Sequence, residues 1–269
     1  MKGLNDFAIA LQFLTRLPFP LQIHFTPKGQ AWSVVWHPLV GLLIGALLLS
    51  IQSLLVGVGP LLASALLLTA WVSITGGLHL DGLADCADAW AGGQGDQARS
   101  LRIMKDPNSG PIAVVALILL LLMKFAALQE LAGRSNLMPL LWTPMLARSL
   151  VPILLLTTPY VRENGLGRPL VENLPRKPAL LAALLYLICA LIMLGPWPIL
   201  ATALTVWWLR RLMLRRIGGC TGDTLGASIE IAEAVVLVVC ALAMQAPLIG
   251  LTYAHLSPSE GCHESRMSI

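Results

Sequence analysis

Charged side chains are scarce in this sequence. Asp, Glu, Lys and Arg make up 12% of its 269 residues, about half the share of a soluble domain, which excludes an ordinary water-soluble globule. The five cysteines, at 86, 189, 220, 240 and 262, include no CxxC pair and no paired spacing, which argues against both a zinc ribbon and a disulfide framework. Cys189 and Cys240 fall inside apolar stretches and read as packing residues. The opening residues "MKGLNDFAIALQFLTRLPFP" do not read as a secretory leader: Asp6 interrupts their short apolar run, and no small-residue cleavage site follows. Linkers, low-complexity tracts and a separate soluble domain are also missing, and a net charge of +4 does not require a nucleic-acid partner.

Apolar residues supply what is present, at 57% of the chain with a mean hydropathy of +0.77. A membrane crossing needs about 20 mostly apolar residues, and such runs occur near 39–58, 60–77, 111–132, 138–157, 179–195, 197–214 and 232–254. The expected fold is all-α, a polytopic membrane protein of about seven spans forming one catalytic domain over 1–269. Residues 1–38 read as an interfacial segment, with Phe7, Leu11 and Leu14 at helical spacing, and 255–269 as a flexible tail. With a cytoplasmic N-terminus, fourteen of the eighteen Lys and Arg residues fall on the inner side, as the positive-inside rule requires. The same choice places Asp81, Asp85, Asp88, Asp106 and Asp223 on that side.

Three constellations stand out. In "LHLDGLADCADAW" (78–90), a helix would bring Asp81, Asp85 and Asp88 within about 60° of one another on a single stripe. Carboxylates so placed repel unless a cation joins them, and an all-oxygen set suits a hard ion such as Mg²⁺ or Mn²⁺. A solvated acidic face is the plainer alternative, although small and apolar neighbours argue against it. In "RIMKDPNSGPIAV" (102–114), Asp106 precedes Pro107 and marks a turn. The helix opening at Pro111 would offer free N–H groups to an anion beside Lys105, or would simply be a capped helix start. In "RRIGGCTGDTLGASIEIAEA" (215–234), glycines lie near Asp223 and Glu230, which share a helical face seven residues apart. Arg148 and Lys124 fall within apolar runs, where charges are costly and face a polar interior or a partner. Carboxylates for a metal and cations for phosphate, at a membrane edge, are the equipment of phosphoryl transfer.

The segments "LQFLTRLP" (11–18), "GGLHLDGLADCADAW" (76–90), "RIMKDPNSG" (102–110), "RENGLG" (162–167) and "GGCTGDTLGASIEIAE" (218–233) resemble, in order, the cobalamin synthase family of adenosylcobinamide-GDP ribazoletransferases. The resemblance implies a Mg²⁺-dependent enzyme of the cytoplasmic (inner) membrane, its active site facing the cytoplasm. In the implied reaction, the 5′-hydroxyl of α-ribazole, or its 5′-phosphate form, attacks the cobinamide-bearing phosphorus of adenosylcobinamide-GDP. GMP leaves, and adenosylcobalamin or its 5′-phosphate forms. On this basis Asp81, Asp85, Asp88, Asp223 and Glu230 are candidate metal ligands, and Asp81, Asp85, Asp106 and Asp223 are candidates for the catalytic carboxylates. Lys105, Arg148 and Arg162 are the candidates for neutralising phosphate. The chain departs from the family's usual pattern at Arg102, Asn108, Ser109 and Pro111.

Two other readings are carried. A CDP-alcohol phosphotransferase also bears acids beside a membrane, but its Ala-Arg and Gly-x3-Asp-x3-Asp elements are missing. A small-molecule transporter would use Arg148 and Lys124 for its substrate, yet no repeated pair of interrupted spans is visible. Membrane lipid is an expected partner. "GLLIG" (41–45) has the small-residue spacing of close helix contacts, within one chain or in a homo-oligomer.

Overall fold

A computed structural model describes residues 2–18, 23–132, 137–162, 165 and 167–245. The expected tail at 255–269, the end of the last run beyond 245, and Glu163, Asn164 and Leu166 of "RENGLG" lie outside the described residues. Among the described residues the chain is helical throughout: α1 (Lys2–Leu14), α2 (Pro27–Ser33), α3 (His37–Leu54), α4 (Pro60–Thr75), α5 (Leu78–Gly93), α6 (Gln97–Ile103), α7 (Pro111–Ala132), α8 (Met138–Thr157), α9 (Arg168–Glu172), α10 (Arg176–Leu194), α11 (Pro196–Ile217) and α12 (Gly222–Gln245). Proline opens α2, α4, α7 and α11 at the first helical position, where its missing N–H costs nothing. A short 3-10 turn, Val34–Trp36, runs α2 into α3.

Among the described residues, five stretches are long and apolar enough to cross a membrane: Pro27–Leu54, Pro111–Ala132, Met138–Thr157, Arg176–Leu194 and Gly222–Met244. The bent pair Pro60–Thr75 and Leu78–Gly93 makes a sixth if the two helices are one span. The expected count of seven is therefore not confirmed. Two causes are visible. The run at 197–214 forms a helix, α11, but Arg210, Arg211, Arg215 and Arg216 load its end. The run at 60–77 forms α4, which has 16 residues and counts as a crossing only together with the bent α5. The last run does give a span, though its helix begins at Gly222 rather than near 232, taking two glutamates into the bundle.

Helices α8 and α12 form the centre, being far more enclosed than α7 or α10, whose leucines and isoleucines (Ile118, Leu119, Leu122, Leu181, Leu185, Ile188) stand exposed as lipid-facing surface. Gly41 and Gly45 let α3 lie directly on the backbone of α8 at Leu141, Pro144 and Met145. The "GLLIG" spacing thus serves a contact within the chain. Gly76 and Gly77, both at left-handed φ (66° and 70°), end α4 and swing α5 through 89°. The backbone N–H of Arg16, after α1, bonds the carbonyl of Ile74 (2.7 Å) beside this bend. With its acids, α5 leaves the direction of the spans and lies across one end of the bundle.

Candidate active site

The two acid-bearing motifs interlock. Leu80, Leu83, Cys86 and Ala89 are the buried apolar positions of α5 and pack with Leu120 of α7 and Ala227 and Ala234 of α12. The contact with α12 is as close as backbones permit: a Cβ at Gly82 would lie 2.7 Å from the Asp223 carbonyl oxygen, and one at Gly226 would lie 3.3 Å from His79 Cα. Glycine is required at 82 for that reason, and the "HLDG" and "GDTLG" segments meet face to face. His79 is buried on the other side of α5 from the acids. Asp81 is exposed, and Asp85 and Asp223 are partly buried.

Asp223 is held by two neighbours. Arg162 Nη2 pairs with its Oδ2 at 3.0 Å, and the Thr221 hydroxyl donates to the same oxygen at 3.4 Å. Arg162 also donates to the Met104 carbonyl at 3.3 Å. Its place is set by two backbone bonds joining the 158–162 segment to the start of α12, Val161 N–H to Cys220 O (3.0 Å) and Cys220 N–H to Pro159 O (2.7 Å). Gly219 is needed there because a Cβ would collide with the Pro159 carbonyl. Burial pushes the Asp85 carboxyl up to about 6, the charges of Asp81 and Asp223 add to the rise, and Arg162 opposes it. Asp81, Asp85 and Asp223 thus share one electrostatic environment, with Arg162 as its cation.

Asp88, on the same stripe, has a different occupation. Its two oxygens accept from Gly110 N–H and, at 2.9 Å, from Ala113 N–H. It therefore caps α7 from outside, supplying an anion to the positive end of that helix. The helix start expected to receive a phosphate is filled by the chain's own carboxylate, and Gly110 leaves room for it. Asp106 is exposed and accepts from Asn108 N–H (3.0 Å) and Asn108 Nδ2 (2.8 Å). Those two bonds hold its carboxyl below the usual range. Lys105 stands exposed in the same turn.

Arg148 and Glu230 are not brought to this place. Both are buried in the bundle, in an ion-pair cluster with Lys124 and Glu233. Glu233 was missed in the sequence. The available signal was a Glu pair three apart in a chain with two intramembrane cations.

The same end of the bundle is basic. Arg210 donates to the Thr157 carbonyl (2.6 Å), Arg216 to Trp90 O (3.3 Å), and Gln97 ties α6 to Ile217 O (2.6 Å). Among the described residues no three of His, Cys, Asp and Glu converge closely enough to hold an ion by themselves. The donor set fits a hard cation in kind, since it is all oxygen and mutually repulsive, and Mg²⁺ sites use one or two carboxylates with water and substrate phosphates.

Residues 6–241 match the family model described as cobalamin-5-phosphate synthase. A protein of Ectopseudomonas mendocina (strain ymp) named adenosylcobinamide-GDP ribazoletransferase is 53% identical over 243 residues, covering 88% of this chain and 98% of that relative. One of the same name from Pseudomonas aeruginosa (strain UCBPP-PA14) is 50% identical over 245 residues, 90% of this chain and 99% of its own. A third, from Stutzerimonas stutzeri (strain A1501), is 53% identical over 237 residues, 87% of this chain and 96% of its own. No solved structure matches.

Proposed function

This chain belongs to the cobalamin-5-phosphate synthase family, and from that premise we propose that it joins the cobinamide-phosphate part of adenosylcobinamide-GDP to α-ribazole or its 5′-phosphate, releasing GMP. The observation that carries the reading is the seating of "HLDG" against "GDTLG", which sets Asp81, Asp85 and Asp223 around one cation, Arg162. A ribazole hydroxyl oxygen forms a bond to the cobinamide-bearing phosphorus, the phosphoanhydride bond to GMP breaks, and the hydroxyl proton passes to a carboxylate of this set. The attacking hydroxyl is not the 5′ one expected above. A family described as making cobalamin 5-phosphate keeps a phosphate on that oxygen, which leaves another ribose hydroxyl as the nucleophile.

Asp81, Asp85 and Asp223 would hold Mg²⁺ together with diphosphate oxygens. When bound, the ion neutralises charge that develops on those oxygens and on departing GMP. Arg162, already at Asp223, is placed to bind the same phosphates in a forked manner that a lysine cannot copy. Lys105, in the exposed turn nearby, adds positive potential. The site opens toward the cytoplasm across the inner membrane: its acids share an end of the bundle with Arg210, Arg211, Arg215 and Arg216, and basic ends face inward. The test is GMP release from adenosylcobinamide-GDP and α-ribazole 5′-phosphate by purified protein, with and without Mg²⁺, beside Asp85→Ala. Metal-dependent release lost in the variant supports the reading. Folded protein that releases no GMP with both substrates present overturns it.

A further inference from the structure

Four charged side chains meet inside the bundle, away from the acids just described. Lys124 of α7, Arg148 of α8, and Glu230 and Glu233 of α12 are each at most 2% exposed. Lys124 Nζ reaches Glu230 Oε2 at 2.7 Å and Glu233 Oε2 at 2.5 Å and lies 4.7 Å above the Trp71 ring. Arg148 Nη1 pairs with the other Glu233 oxygen and donates to Pro144 O at 3.3 Å. With two cations and two anions the cluster is neutral as a set, so it calls for no further ion.

Stability does not account for such a cluster. Replacing a buried ion-pair set with apolar side chains of similar volume is commonly neutral or stabilising, and charges at membrane depth are costly. What an ion-pair set provides that methyl groups do not is a single register. Leucines tolerate a small slide or rotation between helices, whereas a carboxylate shared by two cations from two helices does not. The helices fixed in this way are those that build the acidic site. Helix α12 carries Asp223 in its first turn, with Glu230 and Glu233 farther along. Gly226, between them, lies against His79 of α5. Helix α7 is capped by Asp88 of α5 and supplies Lys124.

We propose that Glu233 is a positioning residue: by holding Lys124 of α7 and Arg148 of α8 at once, it sets the rotation and depth of α12 and so the placing of Asp223 against Asp85. The inference rests on the functional reading above. Its role is indirect, since Glu233 is fully buried and touches neither Asp223 nor Asp85.

Two variants test it. One is Glu233→Gln, which keeps the shape and removes the shared charge. The other combines Lys124→Met, Arg148→Met, Glu230→Leu and Glu233→Leu, which empties the cluster of charge and fills it with apolar groups. Each is purified in the same detergent as the unaltered protein, and thermal midpoint, Mn²⁺ binding by electron paramagnetic resonance without substrates, and kcat and KM for GMP release are measured. The expected result is an apolar variant that melts no lower than the unaltered protein. Both variants should bind Mn²⁺ about tenfold or more weaker and lose a similar factor in kcat, the scale on which small misplacements act. KM for adenosylcobinamide-GDP should move far less than kcat. Folded variants with unchanged Mn²⁺ affinity and kcat would overturn the proposal, and so would the failure of both to fold, which would assign the cluster to stability. If the unaltered protein neither binds Mn²⁺ nor releases GMP, the functional reading beneath is at fault rather than the positioning role.

Discussion

Gly82 of α5 lies against the backbone of Asp223 in α12, so closely that a Cβ at 82 would stand 2.7 Å from the Asp223 carbonyl oxygen and 2.9 Å from its Cα. The residue after Asp81 thereby decides how near the two acidic segments come. Both contact atoms are helix backbone, which cannot yield as a flexible side chain would. Gly82→Ala is expected to push α5 and α12 apart, at a cost of about 1–3 kcal/mol. Activity per folded molecule should fall about tenfold or more through misplacement of Asp223. Thermal melting and GMP release measured on the same preparation check both. An alanine variant with full activity would show that the close approach is not needed for catalysis.

Asp88 caps the start of α7. Its carboxylate accepts from Gly110 N–H and Ala113 N–H, so Asp88→Ala leaves two amides at the helix start without a partner. The expected loss is about 1 kcal/mol of stability, in the range of other helix caps. Asp88→Asn keeps one acceptor oxygen and should recover part of it. Mn²⁺ affinity should change little in either variant, unlike in Asp85→Asn or Asp223→Asn. A collapse of ion binding in folded Asp88→Asn would instead make this carboxylate a ligand.

Much of this arrangement could be read from the sequence, and what could not has physical causes. The stripe of Asp81, Asp85 and Asp88 follows from helical periodicity alone, and α5 is the helix that periodicity predicts. What became of each acid was not legible, because partners distant in the chain decide it. Asp88 meets amides at 110 and 113, and Asp85 meets Asp223. The glycines of "GGCTGDTLGA" suggest room for a ligand, but Gly219 accommodates Pro159 and Gly226 accommodates His79. Hydropathy placed the last span ten residues late, since Asp223, Thr224, Ser228, Glu230 and Glu233 dilute it at its beginning. Those glutamates become affordable inside the bundle only through Lys124 and Arg148, which precede them by 82 residues or more. Once so engaged, neither Glu230 nor Arg148 is at the acidic site.

Proton and metal should compete at Asp85. Its carboxyl titrates at about 6 because it is partly buried beside Asp81 and Asp223, and only its charged form attracts a cation. The sign follows: above pH 6 the ion binds a ready carboxylate, and as pH falls through 6 the ion must displace a proton. The apparent dissociation constant for Mn²⁺ should rise by up to about tenfold per pH unit below that point, as for one linked proton. Titrations at pH 5, 6, 7 and 8 measure the slope. Asp85→Asn should bind Mn²⁺ weakly at every pH and lose most of the slope. An unaltered protein whose affinity is flat from pH 5 to 8 would remove Asp85 from the ion's surroundings.

Arg162 has two claims on it, from Asp223 at 3.0 Å and from the substrate phosphates of the proposed reaction. Each makes a different demand. As counter-ion to Asp223, it competes with a divalent cation for the same carboxylate, so Arg162→Met should tighten Mn²⁺ binding when no substrate is present. As phosphate ligand, it assists the diphosphate, so the same change should raise KM for adenosylcobinamide-GDP by about tenfold or more, the loss expected for a charge-assisted bond. Arg162→Lys keeps the charge and loses the planar fork, including the bond to Met104 O, so it should fall between the two. Measuring Mn²⁺ affinity and KM on the same variants separates the roles. Tighter metal binding without a KM change would leave Arg162 as a counter-ion alone. A raised KM with unaltered metal binding would mean that its hold on Asp223 yields without resistance. Both effects together would show one guanidinium passing from the carboxylate to the substrate as the site fills.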